Sequence, residues 1–362
     1  QDTMTQIFVA TAGSGVTATV DFGQSGFTPS QTGYKALSTA NLDTPTIADG
    51  SAHFQPTLYT GTGSSQAVSQ SGNSTFAPDL VWIKGRSGAT EHVLTDAVRG
   101  VTKELSSNDD GAEETATYVG WQWLANGAGS SNTDGDITST VSANTTAGFS
   151  IVKYSGNGSD NQEIGHGLGL APKMIFTKRL NASGNWTTYN DAVGINQVFY
   201  LNLINAPTSN TEQYRAVPTS SVYTVGVGGD INNSSGTYVA YCFAEVPGYS
   251  SIGSYTGNGS TDGPFIYTGF KPAFVLFKKT SSTDGWEIFD NAREPFNGGN
   301  MARLAPNSSA AEADNVPWFD FLSNGLKVRY NAGGINASGT HIYMAFAESP
   351  FGGDGVAPAT AR

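Results

Sequence analysis

Asp96, Asp191 and Asp290 recur at nearly the same point of three similar stretches, "HVLTDA", "WTTYNDA" and "WEIFDNA". Regularly placed carboxylates invite a test for acid–base chemistry, but catalysis by a carboxylate pair needs a matched partner within roughly 5–9.5 Å. A carboxylate present in every copy reads instead as a structural turn or as one half of an ion pair. Lys84, Lys178 and Lys278 recur in step with the aspartates and are the partners the alignment offers. Each lysine ends an apolar run, so its charge is expected at the rim of the fold on an aliphatic stem.

The other reactive side chains form no constellation. His53, His92, His166 and His341 show no metal-ligand spacing such as H-E-x-x-H or a pair at i, i+4. His92 and His341 stand where other copies carry Trp and Tyr, which favours a packed or half-exposed aromatic role. His166 lies in "GHGLG", where the glycines read as a tight turn. Cys242 is the single cysteine, which excludes a disulfide framework, and no base or orienting group accompanies it as a nucleophile would require. Asp134 and Asp136 in "NTDGD" are the calcium candidates, through a D-x-D geometry, although the full EF-hand pattern is absent. "TDG" recurs at 133–135, 261–263 and 283–285, which fits Asx-type turns. "GNGSTDG" is Gly-rich with no helix after it to supply an anion site. No catalytic residue, cofactor site or binding residue is assigned at this level.

The elements that hold these residues follow from composition and repetition. The chain has 362 residues with 45 Gly and 13% charged residues, against about 25% charged in ordinary globular domains. Its polar surface is therefore built from Ser, Thr, Asn and Gly, which suit turns and strand edges better than helices. All-β is the fold class this predicts. A net charge of −12 with only 18 Lys and Arg argues against nucleic-acid binding. No apolar run approaches the roughly 20 residues of a membrane span, so no membrane insertion is expected. The chain begins with Gln1, which reads as a processed product or a piece of something longer.

From Tyr59 onward one unit repeats. "TLYTGTGSS", "VKYSGNGSD" and "GSYTGNGST" each precede a Pro and a short apolar run, "DLVWIK", "KMIFTK" or "AFVLFK". "NSSGTYVAYCFAE" at 233–245 aligns without a gap on "NASGTHIYMAFAE" at 336–348, and "TYVGWQW" matches their middle. In these closing strands Trp121 and Trp123, Tyr241 and Phe243, and Met344 and Phe346 share one parity, which marks the structural core. The opposite parity carries Gln122, Cys242 and Ala345. The chain therefore divides into an N-terminal β-hairpin and linker (1–52) and three tandem β-sandwich-like repeats at 53–147, 148–247 and 248–362, the last with a C-terminal tail. The "GNGS" turns are expected to use Gly and Asn for positive φ.

These same strings, with "FAPDLVWIKGRSGATEHVLTDAVRG" and "YMAFAESPF", resemble a module of tailed-bacteriophage virion structural proteins, especially marine ones, described as tail-fibre or decoration proteins. "DFGQSGFTPSQTGYKALSTANLDTPTI" resembles the exit from a SPRY-like, concanavalin-type sandwich that often precedes the module. The resemblance implies a virion location and a non-enzymatic role as a tail-fibre or adhesin segment that attaches to host-surface glycan. A capsid or tail decoration role and a polysaccharide-degrading enzyme are the alternatives. It further implies self-association as a homotrimer and contact with other virion proteins, with binding carried by loops that differ between copies.

Overall fold

The computed structural model describes residues 45–350 except 63–65, 87, 101, 111–119, 294–295, 315 and 332. The expected hairpin over 1–26, the C-terminal tail and the start of the first closing strand lie outside the described residues. The described chain is almost entirely antiparallel β, and no helix among these residues is long and apolar enough to cross a membrane.

Unit 1 contributes β1 (Phe54–Gln55), β2 (Leu80–Lys84), β3 (His92–Asp96), β4 (Glu104–Ser106) and β5 (Gly120–Trp123). Unit 2 contributes β6 (Ser130–Asn132), β7 (Ser139–Asn144), β8 (Phe149–Ser155), β9 (Gln162–Gly165), β10 (Met174–Arg179), β11 (Thr187–Asn190), β12 (Gln197–Tyr200), β13 (Thr208–Ser209), β14 (Tyr214–Ala216), β15 (Val222–Val225) and β16 (Thr237–Phe243). Unit 3 contributes β17 (Ser250–Gly257), β18 (Phe265–Tyr267), β19 (Phe270–Lys279), β20 (Trp286–Asp290), β21 (Ala302–Arg303), β22 (Ala313–Asp314), β23 (Phe319–Leu322), β24 (Gly325–Val328) and β25 (Gly339–Pro350).

One four-strand order recurs: β1-β5-β2-β3, β8-β16-β10-β11 and β17-β25-β19-β20. In each, the closing strand inserts between the first and second strands. The registers match too. Leu80, Met174 and Phe274 oppose Trp123, Phe243 and Phe346, while Trp82, Phe176 and Leu276 oppose Trp121, Tyr241 and Met344. Because side chains alternate along a strand, equal registers put the same parity on the same face in all three sheets.

Those faces turn toward one another. The rings of Trp123, Phe243 and Phe346 meet in a triangle with centroid separations of 6.2, 5.8 and 5.8 Å, and all three belong to one buried cluster drawn from every unit. Aromatic pairs at such distances contribute about 0.5–1.5 kcal/mol each beyond their burial. The three units therefore share a single core around a pseudo-threefold axis.

The outer faces differ between units. In unit 2, Tyr238, Ala240 and Cys242 are buried under a second sheet, β14-β15-β9. In unit 3 the sheet β18-β24-β23 does the same, with Phe319 packed on Phe277 and Phe289 at 5.7 and 4.9 Å. Units 2 and 3 are two-layered sandwiches. In unit 1 the described residues contain no second sheet, and residues 56–62 and 66–79 lie against it, with Gln70 donating to Gln122 and Gln122 to Thr57. Strands β6 and β7, which the division at residue 147 assigns to repeat 1, extend the sheet of unit 2 through β8.

The repeated "GNGS" turn has a mechanism beyond glycine freedom. Gly158 and Gly259 have φ of +72° and +65°, as the reading expects. Asn157 and Asn258 instead use their side chains, accepting from Ser159 N and Ser260 N as Asx turns. Two fully buried asparagines clasp each turn from beneath: Asn232 and Asn336 accept from the backbone of Asn157 and Asn258 and donate to Ser159 O and Ser260 O. In unit 1 the corresponding Tyr59 is 38% exposed and off-strand.

Candidate functional site

The recurring aspartates and lysines are structural, in a way the alignment does not anticipate. Asp96 and Asp290 are opposite Leu80 and Phe274 in the ladder, and the residue opposite Met174 is Asn190 rather than Asp191. Asp191 is exposed and one place out of register. Each aligned carboxylate is paired within its own turn: Asp96 accepts from Arg99 Nε at 2.5 Å and from Arg99 N at 2.8 Å, and Asp290 accepts from Arg293 Nε at 2.6 Å and Arg293 N at 3.0 Å. In unit 2 the pair becomes Asn190 and Val193, so both charges disappear together. That is the electrostatically sound exchange, because a buried charge left without its partner is costly.

The lysines do not pair with these aspartates, and the rim reading fails for two of them. Lys178 and Lys278 are fully buried. Their ammonium groups hold backbone carbonyls across the seams between units, Lys178 on Asp110 O and Lys278 on Ile204 O, each at 3.2 Å. Half-buried Lys84 reaches Ser309 O, also at 3.2 Å. The alignment places Asp110, Ile204 and Ser309 at one repeat position, so unit 2 leans on unit 1, unit 3 on unit 2 and unit 1 on unit 3. Burial pulls Lys178 and Lys278 down to about 8. The three carbonyl partners of Lys278 and the two of Lys178 stand in for water.

The aromatic position between them closes the same circuit. His92 Nε2 donates to Ala305 O at 3.0 Å, Trp186 Nε1 to Ser106 O at 2.8 Å and Trp286 Nε1 to Tyr200 O at 2.9 Å. The His92 tautomer follows from Trp82 Nε1, which donates to Nδ1 at 3.0 Å. His92 is buried rather than half-exposed, and burial pushes it down to about 3. His341, also buried, stacks on Tyr255 at 5.1 Å and is lowered to about 4 for the same reason. His166 Nε2 lies 3.1 Å from Thr219 O, and burial lowers its pKa. Cys242 is buried, and desolvation raises its thiol well above the usual range. Asp134 exchanges hydrogen bonds with Asn132, and Asp136 accepts from Glu163 N. The first is a turn contact and the second ties the segment to β9, and no group of three or more metal-ligating side chains occurs among the described residues.

Two features remain that the shared scaffold does not need, and both lie in unit 3. The first is a pocket of about 230 Å³ at the seam, lined by residues including Asp284, Glu287, Arg303, Ala305, Asn307 and Ser308. Glu287 projects from β20 with its side chain only 3% exposed, and its Oε1 accepts from Arg303 Nη1 at 2.9 Å. Its Oε2 is buried without a hydrogen-bond partner among the described residues. Burial, the largest influence, pushes this carboxyl up to about 7 against the pull of Arg303. Arg303 is itself placed over the Trp318 ring at 5.7 Å. The second feature is an outward pair of rings on edge strand β18. Phe265 and Tyr267 are 46% and 53% exposed and lie 6.5 Å apart, flanking the buried Ile266.

A family model described as a domain of unknown function, DUF7483, matches residues 49–117 and 109–350. The chain belongs to the DUF7483 family. No curated protein and no solved structure matches it. The DUF7483 match runs from Asp49, which caps the short 3-10 turn at Gly50–Ala52, to Pro350, at the end of β25. It thus spans all three units of the ring.

Sequence reasoning missed both unit-3 features of this DUF7483 chain, although signals for them are present. Glu287 is the one charge in the buried centre of an aligned strand where units 1 and 2 carry Val93 and Thr187. Ala305 aligns with Ser106 and Tyr200. Phe265 and Tyr267 align with Glu163 and Gly165 around the shared isoleucines Ile164 and Ile266.

Proposed function

We propose that this chain is a non-enzymatic virion surface protein of a tailed bacteriophage, a rigid display scaffold of the tail-fibre or adhesin type that attaches to host-surface glycan. The observation that carries the binding part is the exposed Phe265–Tyr267 pair. Sugar rings present apolar C–H faces that stack on aromatic rings, and Lys327 beside Phe265 and Asp320 beyond it supply polar groups on the same sheet. The pair is on a strand, so it departs from the expectation that loops alone do the binding. The virion location is supported by the resemblance of the repeated strings.

Purified chain should bind host cells or their surface polysaccharide with little salt dependence, and Phe265→Ala with Tyr267→Ala should reduce that binding at least tenfold without loss of fold. Binding to empty capsids with none to cells would favour the decoration role. Release of oligosaccharide would establish an enzyme instead. A homotrimer is the proposed assembly, since symmetric self-association would cover sandwich edges. Light scattering on the purified chain reads whether three chains associate further.

A further inference from the structure

We propose that the seam pocket of unit 3, between Glu287 and Ala305, binds a single neutral sugar ring or an equivalent vicinal polyol. This rests on the glycan reading above and gives it a second, distinct site. Unit 3 departs from both siblings at Glu287 and from unit 2 at Ala305, a position that is also small in unit 1, where it is Ser106. Where unit 2 places the ring of Tyr200, unit 3 has the methyl group of Ala305, and where units 1 and 2 place Val93 and Thr187 it has Glu287. A residue exchange that both empties a volume and adds a buried carboxyl is poor for packing, since cavities and unanswered polar groups each destabilise a fold. Occupancy by a ligand offsets both.

The chemistry of the lining selects the ligand class. Acceptors are present in Glu287, whose Oε2 is buried and unanswered, and in Asp284, whose Oδ1 already accepts from Gly285 N. Donors are present in Arg303, with its side chain one-third exposed, and in Asn307, whose Oδ1 is committed to Trp286 N and whose amide nitrogen has no partner among the described residues. A hydroxyl group donates once and accepts twice, so adjacent hydroxyls satisfy this mixture where a pure donor or a pure acceptor cannot. Two carboxyl groups, in a chain of net charge −12, oppose an anion. The guanidinium of Arg303, fixed over Trp318 and bonded to Glu287, opposes a cation. A volume of about 230 Å³ suits one ring rather than a chain of them.

Saturation-transfer NMR on the full chain carrying Phe265→Ala and Tyr267→Ala, which removes the sugar contact of the aromatic pair, with methyl glycosides of glucose, galactose, rhamnose and N-acetylglucosamine as probes and butylamine as the cationic control, tests the assignment. Transfer to at least one glycoside is expected, with none to butylamine. Ala305→Tyr, which installs the ring that unit 2 accommodates at the same position, should abolish it. Glu287→Gln, which keeps shape but exchanges an acceptor for a donor, should weaken it at least tenfold. Undiminished binding to both pocket variants, binding of butylamine instead, or no transfer to any glycoside would overturn the proposal. If polysaccharide binding persists in Ala305→Tyr and falls only with the aromatic pair, the pocket is refuted and the glycan-binding scaffold stands.

Discussion

The hydroxyl of Tyr241 in unit 2 donates to Asp96 Oδ2 in unit 1 at 2.7 Å, and the carboxylate that receives it is held by Arg99. The same position of unit 1, Trp121, donates through Nε1 to Asp290 in unit 3 at 3.0 Å, where Arg293 is the guanidinium partner. In the third seam, Met344 and Asn190 occupy the equivalent positions, and neither is charged. One interface has thus been solved twice with a buried ion pair and once without it.

Removing one member of a buried pair strands the other, so Asp96→Asn alone and Arg99→Val alone should each destabilise the chain by about 3–5 kcal/mol. The double variant copies the Asn190–Val193 solution and should cost clearly less than the sum of the two. Urea unfolding of all four species gives the coupling energy. Additive losses would show that the pair does not act as a unit. Tyr241→Phe should cost about 1.5–3 kcal/mol, the range for a hydrogen bond to a charged group.

Because Trp123, Phe243 and Phe346 meet at the axis, the units should unfold together. Phe346→Ala or Trp123→Ala should cost about 3–5 kcal/mol and shift one cooperative transition that fluorescence and far-UV circular dichroism report alike. Separate transitions, with only the mutated unit moved, would refute a shared core.

The turn glycines should respond unequally. A Cβ on Gly156 would stand 2.4 Å from Asn233 O and one on Gly257 2.5 Å from Ala337 O, whereas one on Gly61 in unit 1 would meet nothing within 4 Å. Gly156→Ala and Gly257→Ala should therefore each lose about 1–3 kcal/mol through forced backbone displacement. Gly61→Ala should be neutral or slightly stabilising, by up to about 1 kcal/mol, through the unfolded state. Thermal denaturation of the three variants checks the order.

Acid should weaken the fold through its buried imidazoles. His92 at about 3 and His341 at about 4 are depressed below the ordinary 6.5, so between those values and 6.5 the unfolded chain binds the extra protons. Their contribution is complete above pH 6.5 and is lost as pH falls, with a slope of up to about 1.4 kcal/mol per pH unit for each proton. Glu287, raised from 4.5 to about 7, acts in the opposite sense: the folded state holds its proton, and stability declines as pH rises from 4.5 to 7. Stability measured from pH 4 to 8 should show a shallower acid limb in His92→Gln and a smaller loss between pH 4.5 and 7 in Glu287→Gln. Superimposable curves would refute the assignment.

The alternation of large apolar residues at Trp121 and Trp123, Tyr241 and Phe243, and Met344 and Phe346 was enough to identify the core face, because parity along a strand is a local property of the chain. The all-β class and the threefold repetition were legible for the same reason: both are written in short-range spacing. Parity says nothing about what lies opposite a face, so the convergence of three sheets on one aromatic triangle could not be read, nor could the second layers that cover Cys242 and Phe277. The aspartates show the limit most directly. The sequence pattern points to Asp191, while the ladder places Asn190 beside Met174, since register is decided by hydrogen-bonded partners on another strand. Lys84, Lys178 and Lys278 recur visibly in sequence, yet their acceptors are backbone carbonyls of the neighbouring unit, and every residue offers a carbonyl. The pocket at Glu287 depends on the same kind of encounter. Its walls come from two segments of unit 3, around Glu287 and over 303–313, which only the folding of that unit brings face to face.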